Sequence, residues 1–73
     1  MSLGQNIKVL RVTKNISQKD LAKKLGITPN YLSMIENAAK KPSLTLIEKL
    51  AQVLEVPLAT FFGELTLSVK KSP

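Results

Sequence analysis

Residues 18–37 read Gln-Lys-Asp-Leu-Ala-Lys-Lys-Leu-Gly-Ile-Thr-Pro-Asn-Tyr-Leu-Ser-Met-Ile-Glu-Asn, and two short helical patterns meet in them at Gly26. The first sets Leu21, Ala22 and Leu25 at i, i+1 and i+4, one face of a helix. Ser17 precedes it as an N-cap, and Asp20, three residues on, can reach back and favours the positive end of the helix dipole. Gly26 stops the helix, because the residue after the last turn commonly adopts the left-handed conformation that glycine takes without steric cost. Ile27 then folds back under the turn. Thr28 caps the second helix, and Pro29 at its first position gives up no needed hydrogen bond. That helix buries Leu32 and Ile35 and turns Pro29, Asn30, Ser33 and Met34 outward, with Tyr31 and Glu36 at the margins. Two helices, a short glycine turn and a small Ala22 where they cross predict a helix-turn-helix. The same spacing also fits an αα-hairpin of an ordinary helical bundle.

On the N-terminal side, Leu3, Ile7 and Leu10 fall at i, i+4 and i+7 of an amphipathic first helix over residues 3–14, flanked by Lys8, Arg11 and Lys14. Asn15 ends it. On the C-terminal side, residues 37–42 form a loop, since Pro42 pushes its neighbour out of the helical region. Ser43 caps a fourth helix with Leu44, Ile47, Leu50, Ala51 and Leu54 on one face. Pro57 opens a short fifth helix, from Leu58 to about Gly63, carrying Phe61 and Phe62. These patterns predict an all-α, five-helix domain over residues 1–64 and a tail over 65–73. In the tail, Leu65, Leu67 and Val69 alternate with polar residues as a half-buried strand does. Such a strand has three fates in a helical domain: it frays, pairs with its copy in a dimer, or starts a further domain.

A chain of 73 residues supports one domain with a small core, for which oligomerisation is a natural supplement. Cysteine and histidine are absent, which removes disulfides, thiol chemistry and the usual zinc sites, and no cofactor is expected. No secretory segment and no long apolar run appears, so a cytoplasmic protein with no membrane association is expected. Net charge is +6, which favours a polyanionic partner. Up to Lys41 the chain carries eight basic residues against Asp20 and Glu36, whereas over 42–64 only Lys49 faces Glu48, Glu55 and Glu64. The positive charge therefore belongs to the half that holds the helix-turn-helix.

Taken together, Ser17-Gln18, Leu21-Ala22, Gly26, Ile27, Thr28, Ile35-Glu36 and Pro42 at their spacings resemble the XRE family, the helix-turn-helix domains of phage repressor and Cro type. The likeness continues through Ser43-Leu44, Pro57-Leu58 and Phe61-Phe62, so it covers about residues 3 to 63. It implies a lambda-repressor-like fold, with the helix-turn-helix at helices 2 and 3, and a sequence-specific transcriptional regulator of double-stranded DNA. In one respect the chain departs from the pattern. The family usually has glycine at the position of Ala38, and Asn37 is expected to take the left-handed conformation instead, since Asn tolerates it better than Ala.

The resemblance assigns roles. The second helix of the motif lies in the major groove, so Pro29, Asn30, Ser33 and Met34 would reach base edges. Asn30 is the strongest specificity candidate, because its amide can pair bidentately with adenine. Ser33 can donate or accept, while Pro29 and Met34 offer apolar contact to a thymine methyl. No Arg or Lys lies between Pro29 and Asn37, which implies an A/T-leaning site. Phosphates would be held by Gln18 and the helix start beneath it, and by Lys40, Lys41, Lys19, Lys23 and Tyr31. Lys49, Lys70 and Lys71 are read as solvated surface. Arg11 and Glu36 would form a partly buried ion pair that keeps the reading helix in register.

One monomer grips one half-site, so a homodimer on a palindromic operator is expected. Leu58, Phe61, Phe62, Leu65, Leu67 and Val69 are its available surface, with one of the two phenylalanines going to the core. A repressor or controller protein leads. The alternative is an antitoxin-like module whose tail engages a protein partner, with autoregulatory DNA binding. An enzyme has little support, since Asp20 and Glu36 already have structural explanations.

Overall fold

A computed structural model describes residues 2–63. Four α-helices, α1 (Leu3–Thr13), α2 (Gln18–Leu25), α3 (Pro29–Glu36) and α4 (Leu44–Leu54), are followed by a 3-10 helix, Leu58–Phe62. The expected tail strand, with Leu65, Leu67 and Val69, lies outside the described residues. No helix among the described residues is long and apolar enough to cross a membrane.

Each α-helix begins on a hydroxyl cap. Ser17 Oγ accepts from Asp20 N at 3.0 Å, Thr28 Oγ1 from Tyr31 N at 3.0 Å and Ser43 Oγ from Leu46 N at 3.1 Å. A fourth cap was not anticipated: Ser2 Oγ accepts from Gln5 N while Gln5 Oε1 accepts from Ser2 N, both at 3.1 Å, a reciprocal capping box at the start of α1.

All four α-helices also end alike. In each, a residue in the left-handed conformation is followed by one whose N–H returns to a carbonyl five residues back, the Schellman arrangement. The left-handed residues are Asn15 (φ 59°), Gly26 (φ 74°), Ala38 (φ 65°) and Glu55 (φ 57°). The returning bonds are Ile16 N to Arg11 O, Ile27 N to Ala22 O, Ala39 N to Met34 O and Val56 N to Ala51 O, at 2.8–3.1 Å. Ile16, Ile27 and Val56 pack against the core as they return, which fixes the direction of the next element. The expectation for Asn37 is corrected here. Asn37 has φ −91° and ψ 7°, and the left-handed turn falls on Ala38 itself. Asn37 is held in its ordinary conformation as α3 completes its last turn, with Asn37 N donating to Ser33 O at 3.0 Å, so the reversal comes one residue later.

The core gathers Ile7, Leu21, Ala22, Leu25, Leu32, Ile35, Ile47, Leu50, Leu54 and Phe61 from all five helices. Leu44, expected on the buried face of α4, is 61% exposed, and Leu46 packs against the core instead. Leu44 stands at the first position of α4, at the edge of the core rather than over it. Ala22 is fully buried in the helix-turn-helix, and a second close approach lies at Gly4, where an added Cβ would stand 2.3 Å from Ile35 O and 2.8 Å from Glu36 O. Glycine is what lets α1 lie against the last turn of α3.

The fifth helix is 3-10 rather than α, and a side chain of α1 holds it. Asn6, buried, donates from Nδ2 to Phe61 O at 2.7 Å and to Gly63 O at 3.1 Å. Its Oδ1 has no partner among the described residues. Phe61 is thereby drawn wholly into the core and is not available to a dimer surface, whereas Phe62 is 61% exposed and Leu58 is half-buried.

Candidate nucleic-acid interface

The turn at Gly26–Thr28 sets α3 across α2, so α3 buries Leu32 and Ile35 against α1 and α2 and leaves the face of Pro29, Asn30 and Ser33 outward. Pro29 and Asn30 are exposed, Ser33 and Met34 half-buried. The side chains on this face touch one another in pairs one turn apart. Asn30 Nδ2 lies 3.8 Å from Met34 Sδ, and Asn37 Nδ2 lies 3.4 Å from Ser33 Oγ. Tyr31 is half-buried and packs against the core, so its ring belongs to the foundation of the face.

The back of α3 is fixed by charge. Glu36 is held by Arg11 in a bidentate pair, Nε to Oε2 at 2.7 Å and Nη2 to Oε1 at 3.1 Å. Arg11 also donates from Nη1 to Ile16 O at 2.9 Å, and Gln18 donates from Nε2 to Glu36 Oε1 at 3.1 Å. The carboxylate is 2% exposed and its guanidinium partner 11%, so desolvation is compensated by three donors rather than by water. One side chain therefore joins α1, the start of α2 and the end of α3.

Gln18, expected to hold a phosphate, has its side-chain amide engaged within the domain. Its side chain is half-buried and its amide nitrogen is turned inward to Glu36. What remains outward at the start of α2 is backbone, where helix N–H groups and the dipole suit an anion. Lys19 and Lys23 on α2 are exposed, as are Lys40 and Lys41 in the loop after α3. That loop is anchored to the reading helix itself, since Met34 O accepts from both Ala39 N and Lys40 N, at 2.8 and 3.2 Å. Lys49 is not merely solvated: Nζ donates to Leu25 O at 3.3 Å, meeting a free carbonyl at the negative end of α2.

Four structural contributors escaped the sequence reading: Gly4, the Ser2–Gln5 box, Asn6 and Lys49. Two of them carried a local signal: glycine inside an amphipathic helix costs about 1 kcal/mol against alanine and so marks a close contact, and Ser2 with Gln5 three residues on is the capping-box spacing. Asn6 and Lys49 act over distances in sequence, where no local pattern reports them.

A family model described as helix-turn-helix matches residues 7–61. The transcriptional regulator SinR of Bacillus licheniformis is 41% identical over 63 residues, 85% of this chain and 57% of that protein. The immunity repressor protein of Bacillus phage phi105 is 36% identical over 67 residues, 92% of this chain and 46% of that protein. The chain thus spans about half the length of the curated relatives it matches. The crystal structure of SinR, master regulator for biofilm formation, in complex with DNA superposes with a TM-score of 0.77 at 39% identity, over 84% of this chain and 98% of that one. With capped helices, the glycine turn and the outward face of α3 all in place, the chain belongs to the XRE-type helix-turn-helix family, whose members are DNA-binding transcriptional regulators and not enzymes.

Proposed function

We propose that this chain is the operator-binding domain of a transcriptional repressor or controller protein, acting on cytoplasmic DNA as a homodimer on a palindromic site. The observation that carries the reading is the division of labour on α3. Its front presents Pro29, Asn30, Ser33 and Met34, while its back is locked to two other helices through Glu36. A helix held this way can enter a major groove without losing its orientation, and base edges then meet side chains of fixed position. Backbone N–H groups at the start of α2 and the Lys40–Lys41 loop lie to either side of α3 in sequence and supply phosphate contacts that carry no sequence information. Phe62, exposed beside half-buried Leu58, offers the apolar surface for self-association.

The test is selection of bound duplexes from a randomised library at two salt concentrations. The expected outcome is a palindromic motif with half-site centres about 10 bp apart, leaning to A/T. Weak binding that shows no sequence preference and vanishes at physiological salt would overturn the operator reading.

A further inference from the structure

Asn30 and Met34 stand one turn apart on the outer face of α3, and the carboxamide of one leans on the sulphur of the other, Nδ2 to Sδ 3.8 Å. A thioether sulphur is a weak acceptor, so this contact leaves the amide free to turn toward another partner. The sequence has two methionines, Met1 and Met34, and no cysteine, tryptophan or histidine. Met34 is therefore the one sulphur among the described residues, half-buried at the surface and in contact with the residue best suited to read adenine.

We propose that Met34 is an oxidation site whose sulfoxide withdraws Asn30 from DNA. The oxidant is hydrogen peroxide. The sulphur lone pair attacks one peroxide oxygen, the O–O bond breaks as the S–O bond forms, sulphur gives up two electrons, and the proton on the transferred oxygen passes to the departing hydroxide, which leaves as water. The product places a strong acceptor beside the Asn30 amide on a helix that cannot move away, since Glu36 fixes its far end. Asn reads adenine by donating from its amide nitrogen and accepting at its oxygen together. An amide nitrogen held by the sulfoxide removes half of that pair. The same oxidation turns an apolar surface suited to a thymine methyl into a polar one. The lysines and the start of α2 are untouched, so sequence-independent binding and its salt dependence persist. Methionine sulfoxide is reversible by two reductases, one for each epimer, which makes the site a switch rather than damage.

The inference rests on the DNA reading proposed above, so its test has one arm without DNA. Wild-type and Met34→Leu proteins, labelled with nitrogen-15, are treated with hydrogen peroxide until peptide mass shows Met34 converted in the wild type. The Asn30 side-chain amide resonances are expected to shift in the oxidised wild type alone. An unmoved Asn30 amide overturns the capture, whether or not an operator is known. In the second arm, affinity is measured for the duplex that the reduced protein enriches from a randomised library. Oxidised wild type is expected to lose at least about fivefold, the low end for a bidentate base contact, with circular dichroism unchanged. Both reductases together restore it, and Met34→Leu loses nothing on oxidation. Equal loss in Met34→Leu, or full affinity with Met34 fully oxidised, overturns the proposal. Should the reduced protein enrich no duplex, the DNA reading is what has failed, and the amide resonance alone decides the capture.

Discussion

Asn30 and Lys40 lie ten residues apart and both face outward, yet their loss should be felt differently. If α3 reads an operator as proposed, Asn30→Ala removes a base contact, so it should relax one position in each half-site and cost about 1–3 kcal/mol on the preferred sequence. Lys40→Ala removes a charge that any duplex meets, so it should weaken all sequences together and flatten the salt slope by about 0.9. Binding titrations on the selected and a scrambled duplex, each at several salt concentrations, separate the two. Glu36 belongs to stability instead. Glu36→Ala leaves the part-buried Arg11 without its counter-charge and should cost about 3 kcal/mol in urea unfolding, the low end for breaking a buried pair. Replacing Arg11 and Glu36 together by methionine should recover part of that loss, the remainder reflecting Ile16 O and Gln18 Nε2 left without their partners. At this scale the outward face of α3 was legible, since periodicity alone turns Asn30 and Ser33 away from Leu32 and Ile35. The inward turn of Gln18 was not, because its partner lies 18 residues away and on another helix.

Helix starts were legible in this chain and helix ends only in part, for a physical reason. A hydroxyl cap is a property of one residue type at one position, and Ser17, Thr28 and Ser43 each announce it. The left-handed stop is a property of the backbone, for which glycine is sufficient and not required. Asn15 and Gly26 advertise theirs; Ala38 and Glu55 do not, and they adopt positive φ because the chain beyond them is already committed to return. Ala38 carries the steric cost of a Cβ in that conformation, so Ala38→Gly should raise stability by up to about 1 kcal/mol, the gain being trimmed by greater freedom of the unfolded chain. Thermal unfolding of the two proteins side by side measures it. Gly4 makes the opposite forecast. Gly4→Ala puts a methyl into the backbone of Ile35 and Glu36, so α1 must separate from α3. A loss of about 2 kcal/mol or more is expected in denaturant unfolding, within the range for overpacking. The displaced α3 should bind operator less tightly even where the protein remains folded.

For the whole molecule, the adjacent phenylalanines divide between the core and the surface, and in the proposed homodimer between folding and assembly. Phe61 is fully buried, and Phe61→Ala should cost about 3–5 kcal/mol, enough to unfold much of a domain this small. Phe62 is exposed, and Phe62→Ala should leave monomer stability within about 0.5 kcal/mol while raising the dimer dissociation constant about tenfold, as loss of an aromatic anchor does. Sedimentation across a concentration series reads the second effect, and chemical denaturation reads the first. That one of the pair must face inward follows from adjacency on a helix. Which one does so was settled by Asn6, a residue 55 positions earlier that no local pattern connects to it.

That long reach sets the order in which the domain can be completed. Helices α1 to α4 can begin to collapse before Phe61 docks, but Asn6 must meanwhile keep its carboxamide wet or leave it unsatisfied in a forming core. Closure comes only when the carbonyls of Phe61 and Gly63 arrive to accept from it. A chain in which Leu58–Gly63 has come away would therefore present an open apolar flank where Phe61 had been, a surface a chaperone could hold, and the return of those few residues would seal it.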